Sequence, residues 1–262
     1  MDVEAYLRRI GYDGPRQPSA TTLRDLHRQH LFTVPFENLD IPLGTRIILD
    51  LDSFYEKIVL GRRGGFCYEL NGLFGRLLTA MGFRVQMLSA RVRHEAGGFG
   101  PEFDHMLLKI ELEEPWLVDV GFGDSFVDPI VFKSGGADQV NGHRYTVSPA
   151  RDEWELLRED AKGSVPLYAF RDVPQELSEY EEMCNFHQSS PESHFTRNWI
   201  CSRATLDGRV TISNMRLIVT GENKRKETQL QSEATLRRSL RELMGVEFAE
   251  SVSLARLTRH SE

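Results

Sequence analysis

The chain has 262 residues, of which 40% are hydrophobic and 27% are charged, and this composition is ordinary for a folded globular protein. Its formal net charge of −7 at pH 7 argues against general nucleic-acid binding, because that usually needs a basic surface. The sequence shows neither an apolar signal segment at its start nor a run of about 18 apolar residues, so we expect a cytoplasmic protein without a membrane span.

The first 85 residues predict a helical region. Capping patterns together with glycine and proline positions favour helices over residues 2–10, 22–32 and 53–60. We expect the second helix to begin with a capping pattern that starts at Thr22, and the third to begin at Asp52. Three helices are therefore predicted before residue 61.

A fourth helix is predicted to begin at Cys67. The apolar residues that follow recur at the spacing of one helix face, and Gly82 stands where a helix often ends on glycine. This apolar face comprises Leu70, Leu73, Phe74, Leu77, Leu78 and Met81. Cys67 is therefore expected to lie at a helix N-terminus.

After this helix the pattern changes to short segments that alternate or run apolar between glycine, proline and acidic turns, which favours a β-rich region to about residue 190. The expected strands lie in RVQMLSARV, HMLLKIEL, WLVDVGF, RYTVSPA, WELLRE and SVPLYAF. Two more are expected in NWICSRAT and RVTISNMRLIVTG, with Asp207-Gly208 between them as a hairpin signal. A helix over residues 233–244, ending before Gly245, completes the predicted order.

The cysteines are the first candidates for chemistry. Cys67, Cys184 and Cys201 include no CxxC pair, so they predict neither a disulfide framework nor a metal site. Cys184 and Cys201 are interpreted as buried apolar residues. Cys67 differs because it follows Gly64-Gly65 at a helix N-terminus, where backbone N–H groups and the helix dipole favour the reactive thiolate and could hold an oxyanion. It is the candidate nucleophile.

A thiol with an ordinary pKa of about 8.5 needs a base at neutral pH, and the usual partner is a histidine oriented by a carboxylate. Of the eight histidines, His27, His30 and His260 lie in charged helical or terminal segments, and we expect them to be solvated. His105 opens an apolar strand at the mouth of the glycine-rich segment AGGFGPEFD, which could border a pocket. A purely structural role is the open alternative for it.

Asp119 is the candidate carboxylate. It lies among apolar residues in WLVDVGFG, and burying a carboxylate is costly unless it is paired. The strands of His105 and Asp119 are separated by Glu113-Glu114-Pro115 and are predicted to form a hairpin. With the turn centred there, the two residues miss direct opposition by about three positions, or roughly 10 Å. A bulge or a strong twist would have to complete their contact.

At these positions the sequence resembles the arylamine N-acetyltransferases. The cysteine motif of that family reads RGGFCYELN at residues 63–71, its histidine stands in FDHMLL as His105, and its aspartate stands in VDVGFG as Asp119. The segment PFENLD at residues 35–40 is also similar to a motif of the family. The match is dense in the first half of the chain and loose in the C-terminal third.

The resemblance implies an α+β fold with three parts and a papain- or transglutaminase-like cysteine core. The parts are an N-terminal helical bundle (1–85), a β-barrel-like middle domain (86–190) and a C-terminal α/β lid (191–262). Cys67 belongs to the first part, whereas His105 and Asp119 belong to the second. These boundaries coincide with the changes of pattern along the chain.

The resemblance also implies ping-pong transfer of an acetyl group from acetyl-CoA to the nitrogen of an aromatic amine or hydrazine. Cys67 would carry the acetyl group, His105 would act as the base, and Asp119 would orient the imidazole. Acetyl-CoA is the expected acyl donor, and no metal is expected. Glu37 and Arg63 are expected to form an ion pair that braces the nucleophile segment.

Binding roles follow from the resemblance alone. Phe36 and Phe122 match positions that line the acceptor pocket of the family, where flat apolar walls suit an aryl ring. Ordinary core packing is the alternative for each. Gly121 and Gly123 resemble the family's loop on the phosphate side of CoA, so they are the expected cofactor-binding residues.

Other functions remain open from the sequence. A papain-like or transglutaminase-like enzyme uses Cys, then His, then Asn or Asp in the same chain order, but Tyr68 stands after the cysteine here in place of the tryptophan typical of those families. An amide synthase or another acyl-CoA-dependent acyltransferase would share the fold and the thioester chemistry. An inactive binding module is the last alternative, and the three candidate catalytic residues argue against it.

Overall fold

The computed structural model describes residues 1–133, 137–140, 143–160, 163–221 and 224–258. His260, which was expected to be solvated, lies outside the described residues. The fold mixes helices with antiparallel sheets, and one of the sheets is nearly closed and barrel-like. The helices come mainly before the sheets along the chain, as the sequence predicts.

Helices dominate the first third of the chain. They are α1 (Val3–Ile10), α2 (Ala20–Thr33), α3 (Asp40–Leu43), α4 (Leu51–Tyr55) and α5 (Cys67–Ala80), with strand β1 (Phe36–Glu37) between α2 and α3. A π-helical turn over Glu56–Leu60 continues α4. Two predicted starts are wrong, because the side chain of Ser19 caps the N–H of Thr22 and that of Asp50 caps the N–H of Ser53. Such acceptors determine where a helix begins.

Helix α5 lies at the centre of this region. Leu73 and Phe74 are fully buried, and the polar residues Glu69 and Asn71 expose no more than 3% of their surface. A helix that is buried on all sides belongs to the interior of a domain rather than to its surface. It ends as predicted, with Gly82 at a φ of 90°. Cys67 therefore stands at the start of a helix that its surroundings hold firmly.

The larger sheet follows α5. Its strands are β2 (Arg84–Val92), β3 (His105–Glu111), β4 (Pro115–Val118), β5 (Ile130–Val131), β6 (Ala137–Val140), β7 (His143–Ala150), β8 (Glu153–Asp160) and β9 (Gly163–Gln175). Within the described residues the strand order is β5-β4-β3-β2-β9-β8-β7-β6, and neighbouring strands are antiparallel. The predicted strand segments of the middle region are thus confirmed, except that β4 ends one residue before Asp119.

The β-rich region ends earlier than the predicted residue 190. After β9 the chain forms a 3₁₀ turn over Leu177–Tyr180, then helices α6 (Glu181–Ser189) and α7 (His194–Arg197). Tyr180 and Cys184 of this segment are buried and belong to the core around α5. These side chains make the segment part of the wall behind Cys67, which the alternation of short apolar runs did not indicate.

A smaller sheet and two helices complete the chain. They are β10 (Ile200–Thr205), β11 (Gly208–Ser213), β12 (Arg216–Gly221), β13 (Lys224–Gln229), α8 (Glu233–Ser239) and α9 (Ala255–Thr258). The single strand predicted over RVTISNMRLIVTG is wrong, because Asn214 and Met215 adopt φ of 43° and 67° and turn the chain between β11 and β12. A π-helical turn follows α8, and Gly245 ends it with a φ of 67°, as predicted.

Strand β1 joins the first and last parts of the molecule. It pairs with β10, with Phe36 opposite Ser202 and Glu37 opposite Cys201. On its other side the N–H of Glu37 donates to the carbonyl of Gly65 at 2.8 Å. The segment that leads into Cys67 is therefore tied through β1 to the smaller sheet.

We expect Leu73→Ala to lower the free energy of unfolding by about 2–5 kcal/mol, because a fully buried leucine would be replaced by a cavity inside the core around α5. Leu206, which is 83% exposed, offers a matched control, since Leu206→Ala should change stability by no more than about 0.5 kcal/mol. Urea denaturation of both variants checks this. Equal losses in the two would contradict the assigned core.

Candidate active site

The start of α5 is held by a capping arrangement. Glu69 reaches back so that its Oε2 accepts the N–H of Phe66 at 3.1 Å, which leaves Cys67 as the first residue of the helix. Lys57 donates to Glu69 Oε1 at 2.8 Å and lies 2.7 Å from the carboxylate of Asp40. The buried Glu69 thus meets both a backbone donor and a cation, which offsets the cost of its burial.

The predicted ion pair between Glu37 and Arg63 is confirmed. Arg63 Nε donates to Glu37 Oε1 at 2.8 Å, and its Nη2 donates to Glu37 Oε2 at 3.1 Å. The same guanidinium also donates to Asp40 at 2.9 Å. Glu37 has no exposed surface, and removing one partner of such a buried pair typically costs about 3–5 kcal/mol. The pair fixes the chain four residues before Cys67 against β1.

The structure brings His105 and Asp119 into direct contact. His105 Nε2 lies 2.8 Å from Asp119 Oδ2, and both residues are buried. The hairpin of β3 and β4 pairs Leu108 with Val118 and Glu111 with Pro115, so its turn centres on Glu113. If continued, this register leaves Asp119 two positions from direct opposition to His105 rather than the predicted three. Residues two apart share a face, and a diagonal pair lies within reach of an aromatic side chain.

The second oxygen of Asp119 binds the helix that carries Cys67. Its Oδ1 accepts from Asn71 Nδ2 at 3.0 Å and from the N–H of Gly121 at 2.9 Å. Asn71 also accepts the N–H of Val120 at 2.9 Å and donates to the carbonyl of Met106 at 2.6 Å. One amide therefore connects α5 with β3 and with the segment that follows β4.

Asp119 is held in its charged form. Burial by itself would raise the pKa of this carboxyl, but the charge and hydrogen bond of His105, together with the hydrogen bonds from Asn71 and Gly121, outweigh burial and hold the pKa below its ordinary value. An ionised Asp119 accepts hydrogen bonds only. The proton shared with His105 is therefore on Nε2, and in the neutral ring Nδ1 carries the lone pair.

Cys67 does not gain a lowered pKa from its place on the helix. Burial raises the pKa of its thiol well above the ordinary value, and the nearby charges of Asp104 and Asp119 act in the same direction. A backbone hydrogen bond with Met106 acts the other way but is outweighed. The predicted contribution of the helix N-terminus is thus insufficient, and a thiolate here requires a cation beside it.

His27 and His30 are not solvated, contrary to prediction, since neither has exposed surface. His27 contacts the backbone at both ends of the segment after β4. Its Nδ1 is 2.8 Å from the carbonyl of Val127, and its Nε2 is 3.2 Å from both the backbone nitrogen and the carbonyl oxygen of Asp119. His30 Nδ1 lies 3.1 Å from the hydroxyl of Tyr6. The charged neighbours of the two histidines in the sequence keep partial or full exposure on α2.

The expected binding residues lie close to these groups. Phe122 is half-buried, and its ring meets His105 edge-on with centroids 5.3 Å apart. A Cβ on Gly123 would lie 3.7 Å from the ring of Phe36. Gly121 has a packing reason for being glycine, because a Cβ there would lie 2.8 Å from the Cα of Cys67. Phe122 therefore borders His105, Gly121 borders Cys67 and Phe36 borders Gly123. The binding roles of these residues stay predictions.

Tyr168 of β9 is a further neighbour that the sequence did not indicate. Its ring packs on His105 and on Phe122 with centroids 5.4 Å and 5.2 Å apart. Burial, followed by the charge of Asp119, raises the pKa of its hydroxyl well above the ordinary value. The group is therefore a neutral hydroxyl beside an anionic carboxylate.

No cluster of three or more histidine, cysteine or acidic side chains suited to a metal ion occurs among the described residues. Within the same residues, none of the helices has the length and apolar character needed to cross a lipid bilayer. Cys67, Cys184 and Cys201 are all buried free thiols.

Comparison with known proteins decides the family. Residues 19–252 match the profile of a family described as N-acetyltransferase. An arylamine N-acetyltransferase of Escherichia coli K12 is 38% identical over 213 residues, which are 80% of this chain and 75% of the relative. This chain belongs to the arylamine N-acetyltransferase family. It is accordingly an enzyme of the acyltransferase class.

Other members of the family match over nearly the full length. An arylamine N-acetyltransferase of Mycolicibacterium smegmatis is 30% identical over 257 residues, covering 95% of this chain and 94% of the relative. The solved structure of Mycobacterium marinum arylamine N-acetyltransferase in complex with CoA has a TM-score of 0.90 at 28% identity, covering 98% of this chain and 97% of that chain. The enzyme therefore shares its fold with this member of the family over 98% of the chain.

Two of the residues missed from the sequence had a usable signal. Asn71 lies four residues after Cys67, so on a helix it falls on the same side as the cysteine. Leu23, Leu26, His27 and His30 recur at the spacing of one helix face, which is the pattern of a buried stripe. The charged neighbours of the histidines obscured this pattern. Tyr168 had no comparable signal, because its position depends on the pairing of β9 with β2.

We expect Gly121→Ala to lower the turnover of the enzyme roughly ten- to a hundredfold, because the new Cβ would lie 2.7 Å from Asn71 Nδ2 and 2.8 Å from the Cα of Cys67. Gly221→Ala is the matched control, since its Cβ would meet nothing closer than 3.5 Å. Steady-state kinetics of both purified variants check this. Normal turnover in Gly121→Ala would show that the segment after β4 can move away from α5 without consequence.

We expect Asp119→Asn to lower the free energy of unfolding at pH 7 by about 1–3 kcal/mol, because its amide has one acceptor oxygen in place of two, so its NH2 would face either the Nε2–H of His105 or the donors of Asn71 and Gly121. The folded-state pKa of Asp119 is depressed, so the stability that its charge supplies is present above the unfolded pKa of about 3.9 and is lost as the pH falls through the folded pKa. The difference between wild type and variant should therefore shrink below about pH 4. Urea denaturation at pH 7 and at about pH 3.5 tests the sign, which a growing difference would contradict.

Proposed function

We propose that this enzyme transfers an acetyl group from acetyl-CoA to the nitrogen of arylamines or arylhydrazines, through an acetyl-Cys67 intermediate. The observation that carries the proposal is the 2.8 Å hydrogen bond between His105 Nε2 and Asp119 Oδ2, beside the helix that starts with Cys67. The names of the relatives and the CoA complex of the Mycobacterium marinum protein support the choice of donor and acceptor.

Proton transfer accounts for how a thiol with a raised pKa becomes a nucleophile. Asp119 accepts a hydrogen bond from the Nε2–H of His105, which leaves Nδ1 as the base. Nδ1 takes the proton of the Cys67 thiol, and the resulting imidazolium offsets the charge of the thiolate in a buried site. Asp119 then stabilises the imidazolium, which is the role of the carboxylate in catalytic triads.

Two acyl transfers complete the cycle. The Cys67 thiolate attacks the carbonyl carbon of acetyl-CoA, the bond from that carbon to the CoA sulfur breaks, and the departing CoA thiolate takes the proton held by His105. The acceptor nitrogen next attacks acetyl-Cys67 and loses its proton to His105. The freed Cys67 thiolate recovers that proton. N–H groups at the start of α5, which lack partners within the helix, can stabilise the oxyanion of both steps.

The binding roles fit the same cycle. We assign Phe36 and Phe122 to the acceptor pocket, where the ring of Phe122 beside His105 would set an aryl amine against the base. We assign Gly121 and Gly123 to the loop on the phosphate side of CoA. The division into a helical bundle (1–85), a β-barrel-like domain (86–190) and an α/β lid (191–262), the papain-like cysteine core and a cytoplasmic location complete the proposal.

The intermediate can be detected directly. We expect incubation with acetyl-CoA in the absence of an amine to add one acetyl group to the protein by intact-mass measurement, and an arylamine to remove it with formation of the acetylated amine. Cys67→Ala should form no adduct. Cys184→Ala is the matched control, because Cys184 is also a buried free thiol of the core around α5, and it should form the adduct normally.

The same measurement can reject the proposal. Absence of an adduct on the wild-type protein, or an adduct that persists in Cys67→Ala, would rule out acetyl-Cys67. An adduct that forms but is discharged only by an amine within a larger acyl substrate would favour an amide synthase instead.

A further inference from the structure

His27 is a buried imidazole that the proposed cycle does not use. It projects from α2, and both of its ring nitrogens contact backbone groups of the segment between β4 and β5. Nδ1 lies 2.8 Å from the carbonyl of Val127, and Nε2 lies 3.2 Å from both the backbone nitrogen and the carbonyl oxygen of Asp119. The ring therefore spans the base of the loop that begins at the candidate catalytic carboxylate.

The shorter contact assigns one form of the neutral ring. The carbonyl of Val127 can only accept, so Nδ1 carries the hydrogen of the 2.8 Å contact. The neutral ring then has its lone pair on Nε2, which accepts from the N–H of Asp119, whereas a protonated ring would donate from Nε2 to the carbonyl of Asp119 at the same 3.2 Å. Burial lowers the pKa of His27 despite the nearby charges of Asp119 and Asp128, which favours the neutral form. The neighbouring titratable ring on α2 is His30, whose pKa burial also lowers.

The surroundings hold the ring in place. Phe126 stacks on it with centroids 5.7 Å apart and planes 9° from parallel, and Phe74 of α5 meets it edge-on at 6.3 Å. At the next residue of α2, on its surface, Arg28 donates to Asp128 at 2.6 Å. The loop from Asp119 to Asp128 is thus fastened to α2 at its beginning and at its end.

We propose that His27 is a positioning residue for catalysis, which in its neutral Nδ1–H form fixes the backbone of Asp119 so that the carboxylate meets His105 and Asn71 together. The inference rests on the proposed roles of Asp119 and His105. A side chain can hold its hydrogen bonds within a few tenths of an ångström only if its own backbone is held, and small misplacements of catalytic groups are costly. His27 supplies this restraint from outside the strands of the hairpin.

Loss of the ring atoms would release the carboxylate. In His27→Leu the N–H of Asp119 and the carbonyl of Val127 would be buried without partners, so the segment would move to find other ones. The imidazolium of His105 would then lose part of its stabilisation. His27→Gln keeps one donor and one acceptor at comparable reach and should preserve most of the restraint.

Alkylation of Cys67 by iodoacetamide tests the effect without acetyl-CoA. We expect the pH midpoint of alkylation to rise by about one unit in His27→Leu, which corresponds to a tenfold smaller equilibrium constant for forming the thiolate–imidazolium pair. In His27→Gln the midpoint should return most of the way to the wild-type value. In steady-state assays His27→Leu should lose at least tenfold in kcat, whereas the KM for acetyl-CoA should stay within about twofold. A buried residue that served packing alone would not lower kcat while leaving KM unchanged, and His27→Gln would not restore the midpoint.

His30→Leu is the matched control. His30 is equally buried on the same helix and packs on the same Phe74, with centroids 5.0 Å apart, but it contacts Tyr6 instead of the Asp119 backbone. The His30→Leu variant should therefore have a changed melting temperature but the wild-type pH midpoint of alkylation. A wild-type midpoint in folded His27→Leu, or an equal shift in His30→Leu, would overturn the proposal.

Nitrogen NMR of the wild-type histidines keeps the proposal testable if His27→Leu does not fold. We expect the His27 ring to show a protonated Nδ1 and an unprotonated Nε2 at about pH 7 to 8, and a proton on Nε2 in this range would overturn the proposal. Because neither NMR nor alkylation uses acetyl-CoA, a wild-type protein that fails to acetylate would count against the proposed function while leaving the His27 result readable.

Discussion

A carboxylate without access to water needs a partner for its charge and for its lone pairs, and Asp119 draws these partners from three separate elements. His105 comes from β3, Asn71 from α5, and the N–H of Gly121 from the segment after β4. Because these contacts outweigh the cost of burial, the carboxylate stays charged. The charge then determines which nitrogen of His105 is protonated, and so which nitrogen remains available as a base. The relative placement of helix, hairpin and loop at this site depends on the single buried anion.

The nucleophile is held from the opposite direction by a second group of buried charges. Arg63 bridges Glu37 and Asp40, and Lys57 bridges Asp40 and Glu69. These pairs lie behind the turn that leads into α5 and have no part in acyl transfer. Buried ion pairs contribute little net stability compared with apolar packing, so their value here is geometric: they fix the entry of one helix against β1. These pairs hold the start of α5 in addition to the bond between Asn71 and Asp119.

Most of the fold could be predicted from local pattern, and the exceptions have physical reasons. The ends of α1 and α5 and the strands β2, β3 and β7 follow from caps and periodicity. The strand predicted across Asn214-Met215 was wrong because two non-glycine residues with positive φ form a turn that propensity disfavours. The offset between His105 and Asp119 was overestimated by one position, because the turn centres on Glu113 and any shift of a turn's centre changes the register of the whole hairpin. His27 was wrongly predicted to be solvated, because its charged neighbours suggested a solvent-exposed helix. Its spacing nevertheless matched that of the buried leucines of α2.

The sequence by itself determined the candidate triad, the family and the order of helices and strands, because motifs and periodicity are local properties of the chain. Only the tertiary structure decided that Asn71 joins Cys67's helix to Asp119, that Tyr168 faces His105, and that His27 holds the Asp119 backbone. Each of these contacts joins residues from 48 to 92 positions apart, and no local pattern specifies which distant groups a buried polar atom will find. The raised pKa of the Cys67 thiol is of the same kind: the helix start is visible in the sequence, but the burial that outweighs it exists only in the folded chain.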